Sequence, residues 1–97
     1  MRLWQRDVQV LWRRSGQRMV LLTPEGREPI VLEGVGAAVW QLLAEPASTA
    51  ELVEVLAEHF DVPSTTVEQD LPDFLEALRD HGAIHLGDPL PTEAGPP

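Results

Sequence analysis

Residues 28–43 read EPIVLEGVGAAVWQLL, and this junction constrains the fold more than any other stretch of the chain. Pro29, Ile30, Val31 and Leu32 form an apolar run of only four residues, which passes without a turn into a helical pattern. Nothing strand-like follows for roughly fifty residues. Apolar residues recur with period two before the junction and with a period near 3.6 after it, so strands come first and helices second. That is the signature of an α+β fold. Pro29 at the entry suits an edge position, because proline cannot donate to a ladder. A stub this short either ends a small sheet or leaves an edge for another chain.

Upstream, VQVLW (residues 8–12) places Val8, Val10 and Trp12 on one face and predicts a first strand. A turn at Ser15 and Gly16 separates it from a second, more continuously apolar strand, MVLLT (residues 19–23), expected to be central. Pro24 and Gly26 have β-turn spacing and lead into the PIVL strand. Downstream, Val35, Val39, Leu42 and Leu43 share one face of a helix over residues 34–44. Ser48 and Glu51 are spaced as a capping box for a second helix carrying Leu52, Val55, Leu56 and Phe60. Thr65 and Glu68 offer the same spacing for a third, with Gly82 as its stop. Pro72 falls inside that third helix. Either the helix kinks near Glu68, which is the expectation, or a looser first turn precedes a regular helix capped by Asp70. AIHL (residues 83–86) reads as a short closing strand. The expected architecture is a three-stranded antiparallel sheet followed by three helices, winged helix-turn-helix-like. It occupies residues 1–86, and the Pro/Gly-rich residues 87–97 form a disordered tail.

A chain of 97 residues supports one domain with one core. It has no cysteine, which removes disulfides and thiolate metal sites and fits a cytoplasmic protein. Its longest uncharged stretch, residues 34–44, is far shorter than the roughly 20 residues that span a bilayer. The N-terminus lacks the apolar region of a signal peptide.

Catalytic and metal chemistry find little to use. His81 and His85 straddle Gly82, and no third ligand is spaced to join them or His59. Ser15, Ser48 and Ser64 occupy turn or cap positions, and EGVGAAV lacks the lysine and glycine spacing of a phosphate loop. Neither an enzyme nor a cofactor is expected.

Two helices after a strand meander raise a DNA-binding alternative, a winged-helix transcriptional regulator. Charge opposes it. The chain carries sixteen Asp and Glu against seven Arg, a net −9. The helix that would enter the major groove carries Glu68, Asp70, Asp73, Glu76 and Asp80 against Arg79 alone. Five of the seven arginines (Arg2, Arg6, Arg13, Arg14 and Arg18) are gathered in the first 18 residues. The remaining reading is peptide binding, in which an extended peptide adds a strand to the edge at Ile30 and drops side chains against an apolar helix face. Whether residues 83–86 or the N-terminal segment covers that edge instead, the pattern leaves open.

These elements resemble the PqqD-like family, the RiPP recognition elements. The resemblance rests on MVLL and the PEG turn, on Leu32, Gly36 and Trp40 spaced as L-x-x-x-G-x-x-x-W, and on the STAEL opening the second helix. It continues through V-x-x-D-L-x-x-F-L-x-x-L-x-x-x-G from Val67 to Gly82, covers roughly residues 5–86, and is closest in pattern to the stand-alone members of lasso peptide pathways. It implies a non-catalytic winged-helix-like unit in the cytoplasm that binds the leader segment of a ribosomally made precursor peptide. The leader would pair antiparallel with the third strand and lie against the third helix. The implied partners are that leader, a leader peptidase of the cysteine-protease type and an ATP-dependent lasso cyclase, with neither nucleic acid nor membrane. Two positions depart from the family pattern: Glu33, where a neutral helix cap is usual, and Pro72.

On this reading the third strand contributes backbone from Pro29, Ile30, Val31, Leu32 and Glu33. The third helix contributes Val67, Leu71, Phe74 and Leu78 from its apolar face and Asp70 and Ala77 from the margin. Ala77 would leave room for a ring, and Asp70 could accept a hydrogen bond from the peptide. For Leu71 and Leu78, plain core is the stronger reading.

Overall fold

The chain runs β1 (Leu3–Arg6), β2 (Leu11–Ser15), β3 (Arg18–Leu22), β4 (Ile30–Leu32), α1 (Val35–Leu42), α2 (Thr49–Phe60), α3 (Ser64–Asp80) and β5 (Ile84–Gly87). The structure, a computed structural model, describes residues 2–24, 26 and 28–87. The tail expected over residues 87–97 lies outside the described residues from position 88 onward, while Gly87 itself ends β5.

The α+β arrangement expected from the junction at Leu32 is present. Strands β2, β3 and β4 form an antiparallel sheet in that order. Gly16, with φ of 64°, opens the two-residue β2–β3 turn, a position where a side chain would be strained. The expected turn before β4 also forms, with the Gly26 amide donating to the Thr23 carbonyl at 3.1 Å.

The first strand differs from expectation. Val8 and Gln9 lie in a turn, and β2 begins only at Leu11. The cause is Asp7, whose carboxylate accepts from the Gln9 amide at 2.8 Å while its carbonyl accepts from Val10 at 3.2 Å. This local bonding outcompetes strand pairing. Val10 is buried, but Val8 is 97% exposed.

A second sheet answers the question of the covered edge. β1 pairs antiparallel with β5, from Leu3 opposite Gly87 to Arg6 opposite Ile84. The two segments that could have covered β4 therefore pair with each other. Trp4 also exchanges backbone hydrogen bonds with Ala47, at 2.8 and 3.1 Å, and its indole N–H donates to Thr49 at 2.9 Å. These bonds tie β1 to the α1–α2 connection.

The helices start and stop for identifiable reasons. Ser48 and Glu51 form the expected capping box, with bonds of 3.1 and 3.0 Å. The box expected from Thr65 and Glu68 does not form. Pro63 is the N-cap of α3, and the helix begins one residue before Thr65. Pro63 holds the residue before it out of the helical region but leaves Ser64 free to start a helix. α3 then runs unbroken to Asp80, so Asp70 caps nothing. Pro72 deprives the Glu68 carbonyl of its intrahelical partner, but both residues are exposed, where water can take that carbonyl. At the far end Gly82, with φ of 79°, makes the expected stop. The Ala83 amide donates back to Leu78 and that of Gly82 to Arg79, both at 2.9 Å, which is a Schellman motif.

All these elements close on one core, in which Leu21, Val39, Trp40, Leu43, Leu52, Leu56, Leu75 and Ile84 are fully buried. Leu75→Ala is expected to cost about 2–5 kcal/mol, seen as a lower urea midpoint with an unchanged slope.

Candidate functional site

Among the described residues β4 has β3 on one side and no strand on the other, which leaves its outer edge open to pairing. Its register sets Met19 opposite Leu32, Val20 opposite Val31 and Leu21 opposite Ile30. Ile30 and Leu32 turn toward the core, while Val31 stands 51% exposed on the outer face. Three residues beyond Leu32 the chain reaches Val35, the first wall residue of an apolar cavity of about 460 Å³.

Three helices build that cavity. The start of α1 supplies Val35 and Gly36, the end of α2 supplies Leu56 and Phe60, and Val62 belongs to the α2–α3 connection. The first eleven residues of α3 supply Thr66, Val67, Asp70, Leu71 and Phe74. Its wall is almost wholly apolar, with Asp70 the one charged side chain. Gly36 has a steric reason: a Cβ there would lie 3.1 Å from Cζ and 3.3 Å from Cε1 of Phe74. The absent side chain lets the phenyl ring lie directly on the α1 backbone.

α1 enters through Gly34, with φ of 56°, and no side chain caps it. Glu33, where the sequence departs from the family pattern, instead sends its carboxylate to Arg18 Nε at 2.6 Å. Its carbonyl still accepts from Gly36 at 3.0 Å. The departure thus links the end of β4 to β3 and leaves the helix entry to glycine.

Of the residues singled out from sequence, Val67, Asp70, Leu71 and Phe74 come together in the cavity wall. Pro29, Ile30, Val31, Leu32 and Glu33 form the open edge leading to it rather than its wall. Leu78 is buried in the core and Ala77 is exposed, and neither lines the cavity. Sequence reasoning missed Val35, Leu56, Phe60, Val62 and Thr66 as wall residues. Leu56 and Phe60 were legible as the apolar face of α2, but which neighbour that face meets is decided by packing. Val62 sits in a segment that pattern treats only as a helix break.

Among the described residues, no three His, Cys, Asp or Glu are grouped to hold a metal, and no helix is long and apolar enough to cross a membrane.

Comparison with known proteins gives two matches of consequence. The family described as coenzyme PQQ synthesis protein D (PqqD) matches residues 18–84. Among solved structures, TbiB1 in complex with the TbiA(beta) leader peptide superposes with a TM-score of 0.76 at 30% sequence identity. The match covers 84% of this chain and 94% of TbiB1. No curated protein sequence matches. Gly36→Val is expected to push the Phe74 ring off α1 and lower stability by about 1–3 kcal/mol, measurable by chemical denaturation.

Proposed function

The chain belongs to the PqqD family, and from that premise we propose that it is a non-catalytic leader-peptide-binding protein, a RiPP recognition element of the lasso peptide type. An extended leader segment adds antiparallel to β4 and places alternate side chains in the cavity between α1, α2 and α3. The observation that carries this reading is the free edge of β4 beside an apolar cavity, with β1 and β5 paired elsewhere. TbiB1, similar over most of both chains, was solved with a leader peptide bound, which supports the same use of the fold.

Backbone groups of Pro29, Ile30, Val31, Leu32 and Glu33 hold the strand. Val67, Leu71 and Phe74, with Val35, Phe60 and Val62, receive its apolar side chains, and Asp70 accepts a hydrogen bond. Leu78 bears on the site only through the packing of α3, and Ala77 stands exposed on α3 outside the cavity wall. The protein presents the bound precursor to a leader peptidase of the cysteine-protease type and to an ATP-dependent lasso cyclase. Capture takes place in the cytoplasm, where the precursor leaves the ribosome. Duplex DNA is a poor alternative ligand, because α3 carries five carboxylates against one arginine and repels phosphate.

Fluorescence anisotropy with a labelled leader peptide, run beside a random DNA duplex, tests the proposal. Submicromolar leader binding with no response to DNA is expected; the reverse result ends it. A leader N-methylated at alternate strand residues is expected to bind at least ~10-fold more weakly, because the ladder bonds to β4 are lost. Asp70→Ala is expected to weaken binding by roughly 3- to 10-fold, the worth of one hydrogen bond. An unchanged affinity removes Asp70 from the site.

A further inference from the structure

Asp70 is the one charged side chain in an otherwise apolar cavity wall. At about 100° per residue it stands about 40° from Phe74 around α3, and Thr66 and Asp73 lie further round on the same side. These three are exposed, whereas Leu71, on the other side of Phe74, is buried. The Thr66–Asp70–Asp73 margin therefore borders the open mouth of the cavity. No arginine of the described chain is placed to neutralise it. Arg79, the one cation on α3, points about 140° away from Phe74 and is held by Glu76 at 3.1 Å. Arg18 is committed to Glu33 at 2.6 Å, so the carboxylate at the end of β4 is already compensated. Arg2, Arg6 and Arg14 donate to the carbonyls of Leu86, Trp40 and Gly16, and Arg13 lies on β2, beyond β3. Among the described residues neither the Asp70 nor the Asp73 carboxylate has an ion-pair partner.

A carboxylate on the rim of an apolar pocket sorts incoming side chains by charge. It attracts an ammonium or guanidinium, whose apolar stem can lie along the wall, and it repels a second carboxylate. Spacing narrows which side chain it meets. The four residues from Asp70 to Phe74 rise about 6 Å along the helix. Side chains two residues apart on one face of a strand are about 7 Å apart. A strand lying along α3 with an apolar side chain against Phe74 thus brings the side chain two residues away to Asp70.

We propose that Asp70 selects the charge of the bound peptide: the segment that adds to β4 carries Lys or Arg two residues from the apolar side chain seated against Phe74, and a carboxylate at that position is rejected. This rests on the leader-binding reading and goes beyond it, because a neutral donor would satisfy a hydrogen bond to Asp70 equally well. The probes are the labelled full-length cognate leader and variants in which each residue in turn is replaced by Lys, Gln or Glu, titrated by fluorescence anisotropy. In wild type, one position two residues from an apolar one is expected to rank Lys above Gln above Glu, with Lys and Glu at least ~10-fold apart. Asp70→Asn keeps an acceptor oxygen without the charge and is expected to compress that ranking to within about twofold. Asp70→Lys is expected to invert it. Both substitutions fall at an exposed helix position, where the fold is retained. Equal affinities for Lys and Glu at every position overturn the proposal and leave the leader-binding reading standing. So does a preference for Lys that is unchanged in Asp70→Lys, since it would then come from the net charge of the whole chain. If the unsubstituted leader fails to bind wild type at all, the leader-binding reading itself fails and this inference falls with it.

Discussion

Antiparallel pairing of Leu3–Arg6 with Ile84–Gly87 engages the two strands among the described residues that lie outside the main sheet. Everything functional about β4 depends on that pairing. Had either segment run beside Ile30–Leu32, the ladder would be closed and the cavity at Val35 would border a finished sheet. The two segments instead meet each other, and the Trp4–Ala47 bonds fasten β1 across the α1–α2 connection. The Schellman turn at Gly82 contributes by reversing the chain after α3, so that β5 begins two residues later. A local glycine conformation thus helps decide which backbone groups remain available to a ligand.

An open edge invites indiscriminate pairing, and this chain restrains it with short length. β4 has three residues, is preceded by a proline without a donor, and is followed at once by the α1 entry. Such an edge offers too few hydrogen bonds to hold a strand unaided. Selectivity passes to the cavity next to it, where apolar side chains of an incoming peptide can be buried against Phe74, Leu71 and Val67. On the proposed reading, backbone pairing and side-chain burial each supply part of the binding energy, and only a peptide that offers both is held.

Much of this was legible in the residues. The change of apolar period at Leu32 marked the division into sheet and helices, and the turn glycines, the Ser48 cap and the Gly82 stop all act as their chemistry dictates. The failures share a cause: local patterns that a competing bond overrides. Val8, Val10 and Trp12 alternate like a strand, but the Asp7 side chain captures the Gln9 amide first. Thr65 and Glu68 have the spacing of a cap, but Pro63 lets the helix begin before them. β1 was invisible as a strand because LWQR is short and its partner lies some eighty residues away. The cavity wall was half legible for a related reason. Periodicity identifies which residues of α3 are apolar, but the contribution of Phe60 and Val62 exists only once α2 packs against α3.

The two ends of α1 do different work. Its first residues, Val35 and Gly36, line the apolar cavity, and the carbonyl of Trp40 near its end receives the Arg6 guanidinium. The helix has eight residues, so the two ends are about 12 Å apart. A cation at a helix C-terminus is favoured by the helix dipole, and Arg6 satisfies a carbonyl there that has no partner within the helix. Arg6 therefore has a structural reason to be present: it closes the C-terminal end of α1 while stacked against Trp12 and Trp40.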